Sequence, residues 1–446
     1  MRVPLLRIET HTSLPEAADV VVIGGGIVGT CTAYFLAKRG IKVVLLEKGL
    51  IGAEQSSRNW GWCRQQNRDA RELPMATKSL DLWDSFASDI GEDVGFRRCG
   101  LLYLSNSEAE IATWAKWRDF AKTVGVTTHM LSAKEAAEKG SATHKPWLGG
   151  VFSPSDGIAV PERAAPVIAR GVMKFGGTVM QHCAARGLET EAGRVSAVVT
   201  EKGTIRTGTV VMAGGAWASS FCNQLNIRFP QASIRSSILS VAPLSGGSGA
   251  EGLPDALHTA RVSVTRRGDG GYALAISGRA SVDPTLQQIR YGKAFLPMFQ
   301  RRWRSLKPGT IEGLRNGHET LAKWALDKVT PMERNRILDP IPDRKLIAET
   351  YRRAGELLPA LAGAKISASW AGYIDSTPDG VPAIGEVPSL PGFILAAGFS
   401  GHGFGIGPGA GHLIADIITG SEPIVDPADY LPERLAHSAW GKVAGF

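Results

Sequence analysis

Apolar positions along this chain fall into runs of two periods. Asp19 to Ile23 (DVVVI), Lys42 to Leu46 (KVVLL), Thr209 to Met212 (TVVM) and GFILAAG (Gly392 to Gly398) are short and continuous, as strands are. Cys99 to Asn106 reads the same way. Helical spacing governs Ile27 to Leu36, closed by Gly40, and Arg71 to Ser88. It also governs Ser107 to Gly125, with Ile111, Trp114 and Trp117 on the apolar face, and LSAKEAAEKG, where Ser132 supplies a cap. Gly149 to Met180 reads as strand, loop and helix, with Asp156-Gly157 as the turn. Arg194 to Ala218 holds three strands that turn near Lys202-Gly203. The middle, Arg228 to Lys365, alternates strand-like stretches (SIRSSILSVAPL, GGYALAIS) with helices.

Two glycine-rich strand-to-helix turns, Gly24 to Gly29 and Phe399 to Gly420, lie at opposite ends of the chain. They predict an α/β protein whose nucleotide domain is discontinuous, with a parallel central sheet over residues 1–95, 150–227 and 366–446. The second domain, residues 96–149 and 228–365, is then a mixed or antiparallel sheet with helices. No apolar run approaches the roughly 18 residues that span a bilayer, and the N-terminal arm is too brief for a signal peptide. A cytoplasmic protein without a membrane span is expected.

Composition changes this picture little. At 446 residues, 43% hydrophobic and 21% charged, the chain suits two or three soluble domains. The net charge of +8 is scattered, with only short clusters such as Arg301 to Arg304, which speaks for anionic small molecules and against nucleic acid. Five dispersed cysteines without a CxxC pair, and nine histidines without ligand spacing, point to neither a disulfide framework nor a metal site.

The first turn carries the chemistry. Gly24-Gly25-Gly26-Ile27-Val28-Gly29 fits G-x-G-x-x-G between a strand and a helix. Gly24 permits the tight turn, Gly26 lets backbone N–H groups approach a pyrophosphate, and Gly29 lets helix and strand pack closely. The helix N-terminus favours the phosphate charge. Glu47, about 20 residues on, suits ribose hydroxyls and argues against a 2′-phosphate. The polar, Trp-studded stretch Gly52 to Asp69 reads as a loop along a cofactor, with Ser56, Ser57 and Arg58 available for phosphates. Ala213 to Trp217 ends a strand in small residues, as where backbone passes close to a ligand.

VVVIGGGIVG...VVLLEKG, VVMAGGAWA, WAGYIDSTPDGVPAIG and GFSGHGFGIGPGAG, in this order over nearly the whole chain, resemble the D-amino-acid oxidase superfamily of flavoproteins. Within it, the segments Glu47 to Gly49, Glu54 to Arg58, Cys183 to Thr204 and Val210 to Gly215 are most similar to the bacterial L-amino-acid deaminases. The resemblance implies a Rossmann-like FAD-binding domain and FAD rather than NAD. It implies that Ser57 and Arg58 lie beside the phosphates, that Gly61 approaches the isoalloxazine, and that Ala184 meets adenine through its backbone. Gly214 and Trp217 would close the cofactor channel, and Gly401, His402, Gly403, Phe404, Gly405 and Ile406 would run under the flavin pyrimidine. Ile27, Val28, Lys48, Ser56, Asn59, Trp62, Ala213 and Gly372 complete the cofactor neighbourhood on this reading. No cysteine follows Cys222, so FAD is expected to be non-covalent.

The resemblance further implies oxidative deamination of free amino acids. Sarcosine oxidases carry Lys where this chain has Gly405, so another cation must hold the substrate carboxylate. Arg64 matches a sarcosine-oxidase arginine, and Arg279 roughly matches the deaminase arginine; either is equally a surface residue on pattern alone. His402 is the candidate cation for O2 reduction. Trp370, with Trp60 and Trp62, either walls the pocket or is ordinary core. The related deaminases usually carry an N-terminal anchor that this chain lacks, which favours O2 as acceptor. The partners expected are the amino acid and O2. The lead expectation is L-amino acids; a D-amino-acid or N-methyl-amino-acid (sarcosine-like) substrate on the same fold, the side chain accepted, and a homo-oligomer are left open.

Overall fold

The computed structural model describes residues 3–244 and 252–445. The short β-branched runs become neighbours in one six-stranded sheet, in the order Ala383–Glu386, Phe393–Ala397, Val210–Met212, Val20–Ile23, Val43–Leu46, Thr178–Met180. All pairs are parallel except that of the first strand, Ala383–Glu386. Continuous apolar strands fit, because a parallel sheet is covered on both faces. Helices Ile27–Lys38, Leu73–Ile90, Pro161–Lys174 and Gly403–Thr419 cover one face. A three-stranded antiparallel sheet, Ala185–Glu191, Arg194–Thr200 and Gly203–Arg206, covers the other.

The first helix is buried from Ile27 through Ala37. It lies against the C-terminal helix, where a Cβ on Gly411 would sit 2.6 Å from Cys31 Cβ and one on Gly407 would sit 3.0 Å from Ile27 Cγ1. The glycines let the two helices approach. The glycine-rich turn expected to feed a helix between Phe399 and Gly420 does so early: the turn is only Phe399 to His402, with Ser400 at φ 53° and Gly401 at φ 87°, and the helix begins at Gly403. Pro408 lies inside that helix and lacks an N–H. Around it, the Trp83 indole donates to the Gly405 carbonyl (3.0 Å) and the Gly409 N–H donates to Ser79 Oγ (2.9 Å).

A ten-stranded mixed sheet forms the second half. Its order is Leu306–Pro308, Ala280–Val282, Ala232–Val241, Tyr272–Ala275, Ser263–Arg266, Ala256–His258, Leu101–Ser105, Gly149–Ser153, His129–Leu131, with Ile366–Ser376 also paired to Ala232–Val241. Two of these strands cross the boundaries expected from sequence. Gly149–Ser153 pairs with Leu101–Ser105, and Ile366–Ser376 pairs with Ala232–Val241, so cuts at 150 and 366 run through this sheet. Helix Leu286–Arg302 contacts strand Ala232–Val241, its start capped by Thr285, which accepts from the Gln288 N–H. Among the described residues no helix is long and apolar enough to cross a membrane.

Candidate active site

Strand Val20–Ile23 delivers Gly24 into the turn. A Cβ on Gly24 would lie 2.4 Å from the Ala213 carbonyl oxygen, and one on Gly29 would lie 1.9 Å from the Gly24 carbonyl oxygen. Gly26 differs: a Cβ there would meet only Ser56 Oγ, at 3.2 Å. Its face opens into a channel lined by Gly24, Glu47, Ser56, Ala213, Gly214 and Trp217, with Lys48, Gln55, Tyr373 and Asp375 also on its wall. Ser56 Oγ accepts from the Ile27 N–H at 2.8 Å, and Ile27 and Val28 are otherwise core. Glu47 lines the channel while accepting from the N–H groups of Gly25 (2.8 Å) and Gly49 (2.7 Å). Burial pushes its carboxyl up from the ordinary range. Lys48 is tied to Glu54 and the Arg336 carbonyl, with its ammonium 4.8 Å from the Trp217 ring centroid.

Two buried polar atoms on this wall, Trp217 Nε1 and Gln55 Oε1, lack a hydrogen-bond partner. The open face of Gly26, the helix N-terminus and these orphaned atoms together fit a dinucleotide with an anionic centre at the turn. FAD suits this chain's residues.

Several expected cofactor contacts move. Ser57 is buried and donates to the Glu54 carbonyl. Arg58 is not at the phosphate turn: its guanidinium pairs with Asp339 (2.7 Å) and donates to the carbonyl oxygens of Ala53 and Ala371. The Ala184 N–H is taken by Glu201 (2.7 Å), leaving Cys183 and Ala185 on the channel wall. Gly61, at φ 82°, is glycine because the Ala159 carbonyl would lie 2.3 Å from a Cβ. Gly372 makes room for Gln55 Oε1 (2.3 Å), Gly403 packs on Phe399, and Ile406 is core. Trp370 lies behind the site: it is buried, with its indole donating to the Arg58 carbonyl at 3.2 Å.

Gln55 also lines a second cavity of about 410 Å³. One side is Asn59, Trp60, Trp62, Arg64, Arg68 and the turn Gly401, His402, Phe404, Gly405; the other includes Ile276, Arg279, Phe295, Met298, Arg302 and Leu306. Among the described residues no Asp or Glu lines it. The loop bearing Arg64 and Arg68 is fixed by buried Asp156, which accepts from the N–H groups of Gln65 (2.7 Å) and Gln66 (3.2 Å). Burial raises the Asp156 carboxyl to about 6. Asn59 accepts from the Gly61 N–H (2.7 Å), and the Trp62 indole donates to Thr265 (2.6 Å).

Arg68 is buried, and its Nη1 has no hydrogen-bond partner. Burial, then the neighbouring Arg64, pushes it down to about 10, so it stays charged at neutral pH. His402 contacts the buried Glu72 carboxylate at 3.0 Å. Burial, then Arg68, lowers its imidazole to about 4. It is therefore neutral at pH 7, while Arg64 and Arg68 stand on the same cavity wall. Gly405 explains its own identity, since a side chain there would meet the Trp62 carbonyl at 2.9 Å and Cys63 Cα at 3.2 Å. The sequence reading did not single out Arg68, Gln55 or the anchoring of this loop by Asp156. The only signals were an arginine four residues after Arg64 and a DG turn.

Residues 19–417 match the family described as DAO, FAD dependent oxidoreductase. The structure is similar to L-amino acid deaminase from Proteus myxofaciens in complex with anthranilate, with a TM-score of 0.90, 28% identity and 96% of each chain covered. In sequence it is similar to glycine oxidase of Pseudomonas putida, 26% identical over 427 residues, covering 93% of this chain and 98% of that protein. It is equally similar (26%) over 434 residues to mouse mitochondrial sarcosine dehydrogenase, of which it spans 42% of the length.

Proposed function

Because the chain belongs to the DAO family of FAD-dependent oxidoreductases, we propose that it deaminates free L-amino acids to 2-oxo acids and ammonia. The observation that carries this is the cavity, lined by no Asp or Glu among the described residues, with the buried, unpartnered Arg68 Nη1 on its wall beside Arg64. Two guanidinium groups on one loop suit the α-carboxylate common to every amino acid. The likeness to Proteus L-amino acid deaminase over 96% of the chain supports the L series.

Bound FAD supplies a two-electron acceptor for the hydride leaving the α-carbon. Everything else falls to the chain. Arg64 and Arg68 fix the carboxylate, and so the α-carbon's presentation. Trp60, Trp62 and Phe404 exclude water from the reacting bond. The amine enters neutral and loses one proton as the C–H bond breaks and C=N forms. Water then hydrolyses the imine, and O2 takes the electrons to give peroxide.

The test is a panel of L- and D-amino acids. Anaerobic loss of flavin absorbance near 450 nm with L-amino acids, and peroxide in air, are expected. Reduction by D-amino acids alone overturns the L assignment, and reoxidation only by a dye or quinone overturns the O2 assignment. Acid precipitation should release all the yellow colour, whereas flavin left in the pellet overturns non-covalent binding. Arg68→Met and Arg64→Met should each lower kcat/KM by about 10- to 150-fold, by a similar factor for every L-amino acid. Activity within about threefold of the parent in both would place the carboxylate elsewhere.

A further inference from the structure

Half of the exposed large apolar side chains among the described residues lie between Leu286 and Leu314. Five of them are on helix Leu286–Arg302 and the turn after it, Trp303–Ser305: Leu286, Ile289, Leu296, Phe299 and Trp303. Their spacings of three, seven, three and four put them on one side of the helix, while Gln287, Tyr291 and Pro297 are buried on the other. Ile289 is 75% exposed, more than a side chain that merely borders a core. Ile311 and Leu314 follow just after strand Leu306–Pro308. Apolar surface gathered in this way marks a docking face rather than chance exposure.

The charge beside this face has one sign. The stretch from Leu286 to Ile311 contains no Asp or Glu. Arg290, Lys293, Arg301, Arg304 and Lys307 are exposed along it. Three of them contact neutral groups: Arg290 donates to Asn223 Oδ1 (2.9 Å), Arg301 donates to the Val443 carbonyl (3.1 Å), and the Arg304 guanidinium lies 5.3 Å from the Trp303 ring centroid. From a neighbouring segment, the exposed Arg228 stands 5.7 Å from the Tyr291 ring centroid. Glu312, the first acid past the stretch, contacts Arg235 at 3.5 Å. An exposed apolar face with a basic border suits an anionic bilayer, where the apolar chains enter the acyl boundary and the cations meet lipid phosphates. A second copy of this chain suits it less, because a two-fold interface would set the same cations against one another.

We propose that this face docks on the surface of an anionic lipid bilayer, with helix Leu286–Arg302 lying along the membrane rather than crossing it. The inference does not rest on the amino-acid oxidation proposed above. Phe299 belongs both to this face and, with Phe295 and Met298, to the wall of the cavity of about 410 Å³, so docking sets that wall against the membrane.

Flotation of the holoenzyme with vesicles tests it. Phosphatidylcholine vesicles containing about 30% phosphatidylglycerol should carry the protein at least about 10-fold better than phosphatidylcholine alone, and about 0.5 M salt should remove most of the difference. Lys293→Gln and Arg304→Gln should each lower partitioning to the anionic vesicles by about fivefold. Ile289→Asn together with Leu296→Asn should lower it by more than about 10-fold. These four positions are exposed and lie outside the cavity lining, so flavin content and melting temperature should match the parent. Trp303→Phe, which keeps an apolar ring, should still bind but lose most of the fluorescence quenching by brominated lipid. Four results would overturn the inference. One is no partitioning to the anionic vesicles, and another is equal partitioning to both kinds. The third is partitioning unmoved in the charge and apolar variants alike. The last is a parent that sediments as a dimer which Ile289→Asn dissociates, since the face would then belong to a second copy. In each case amino-acid oxidation stands or falls on its own panel of substrates.

Discussion

Three glycines within six residues do different work, and the structure separates them. A Cβ at Gly24 or Gly29 would collide with backbone carbonyls at 2.4 and 1.9 Å, whereas at Gly26 it would meet only a serine hydroxyl at 3.2 Å. Gly24, at φ 112°, adds backbone strain to the collision. Gly26→Val should therefore give a folded protein, within about 1 kcal/mol of the parent apoprotein in urea unfolding, that purifies colourless and does not take up added FAD. Gly24→Ala and Gly29→Ala should lose folding itself. A yellow Gly26→Val protein would mean that the turn is structural only. The roles of these glycines were legible in the sequence because spacing and backbone geometry alone dictate them. Those of Arg58 and Ala184 were not. Each sits next to the right loop, but its polar groups are taken by Asp339 and Glu201, partners 281 and 17 residues away.

Among elements, the strand–helix–strand Val20–Ile23, Ile27–Lys38 and Val43–Leu46 follows from apolar periodicity. The early start of the C-terminal helix, at Gly403, does not. Six glycines and a proline between Gly401 and Gly411 are poor helix formers, and propensity argues for a loop there. Tertiary contact decides otherwise, because only residues without side chains let this helix meet the first one. Gly411→Ala, which would improve helix propensity in isolation, should instead lower stability by about 1–3 kcal/mol through a contact 2.6 Å from Cys31 Cβ and 2.7 Å from its backbone. Denaturant midpoints measure this; a variant more stable than the parent would show that the helices can part without loss. The misplaced boundaries at 150 and 366 share a cause. A strand's sequence shows that it is buried, not which of two sheets buries it.

At the scale of the molecule, buried titratable groups oppose one another. Burial raises Asp156 and Asp375 to about 6 and Glu319 to about 7, with Glu47 moving the same way. Such a carboxyl binds its proton in the folded chain where the unfolded chain has released it. Its contribution is present below about pH 4 and lost as pH rises through 6 or 7. Burial lowers His258, His318 and His402 to about 4, so their contribution is present above about pH 6.5 and lost as pH falls toward 4. Between about pH 4.5 and 6 the two sets offset, and the apoprotein's stability should change by less than about 1.4 kcal/mol per pH unit, one proton's slope. Glu319→Gln should tilt the profile by about that slope, making the protein less stable toward acid relative to the parent. Unfolding free energies across this range check both; a parent profile steeper than one proton would mean that one set dominates. The same long-range assembly governs recognition. Arg64 and Arg68 come from a loop packed on the nucleotide half, while the facing wall of the cavity comes from the large sheet and its flanking helix, which do not line the channel at the glycine turn apart from Tyr373 and Asp375. On the function proposed above, a lineage can rewrite the sheet side of this cavity while inheriting the glycine turn and the Arg64–Arg68 loop unchanged, and so turn to a different nutrient by a handful of substitutions.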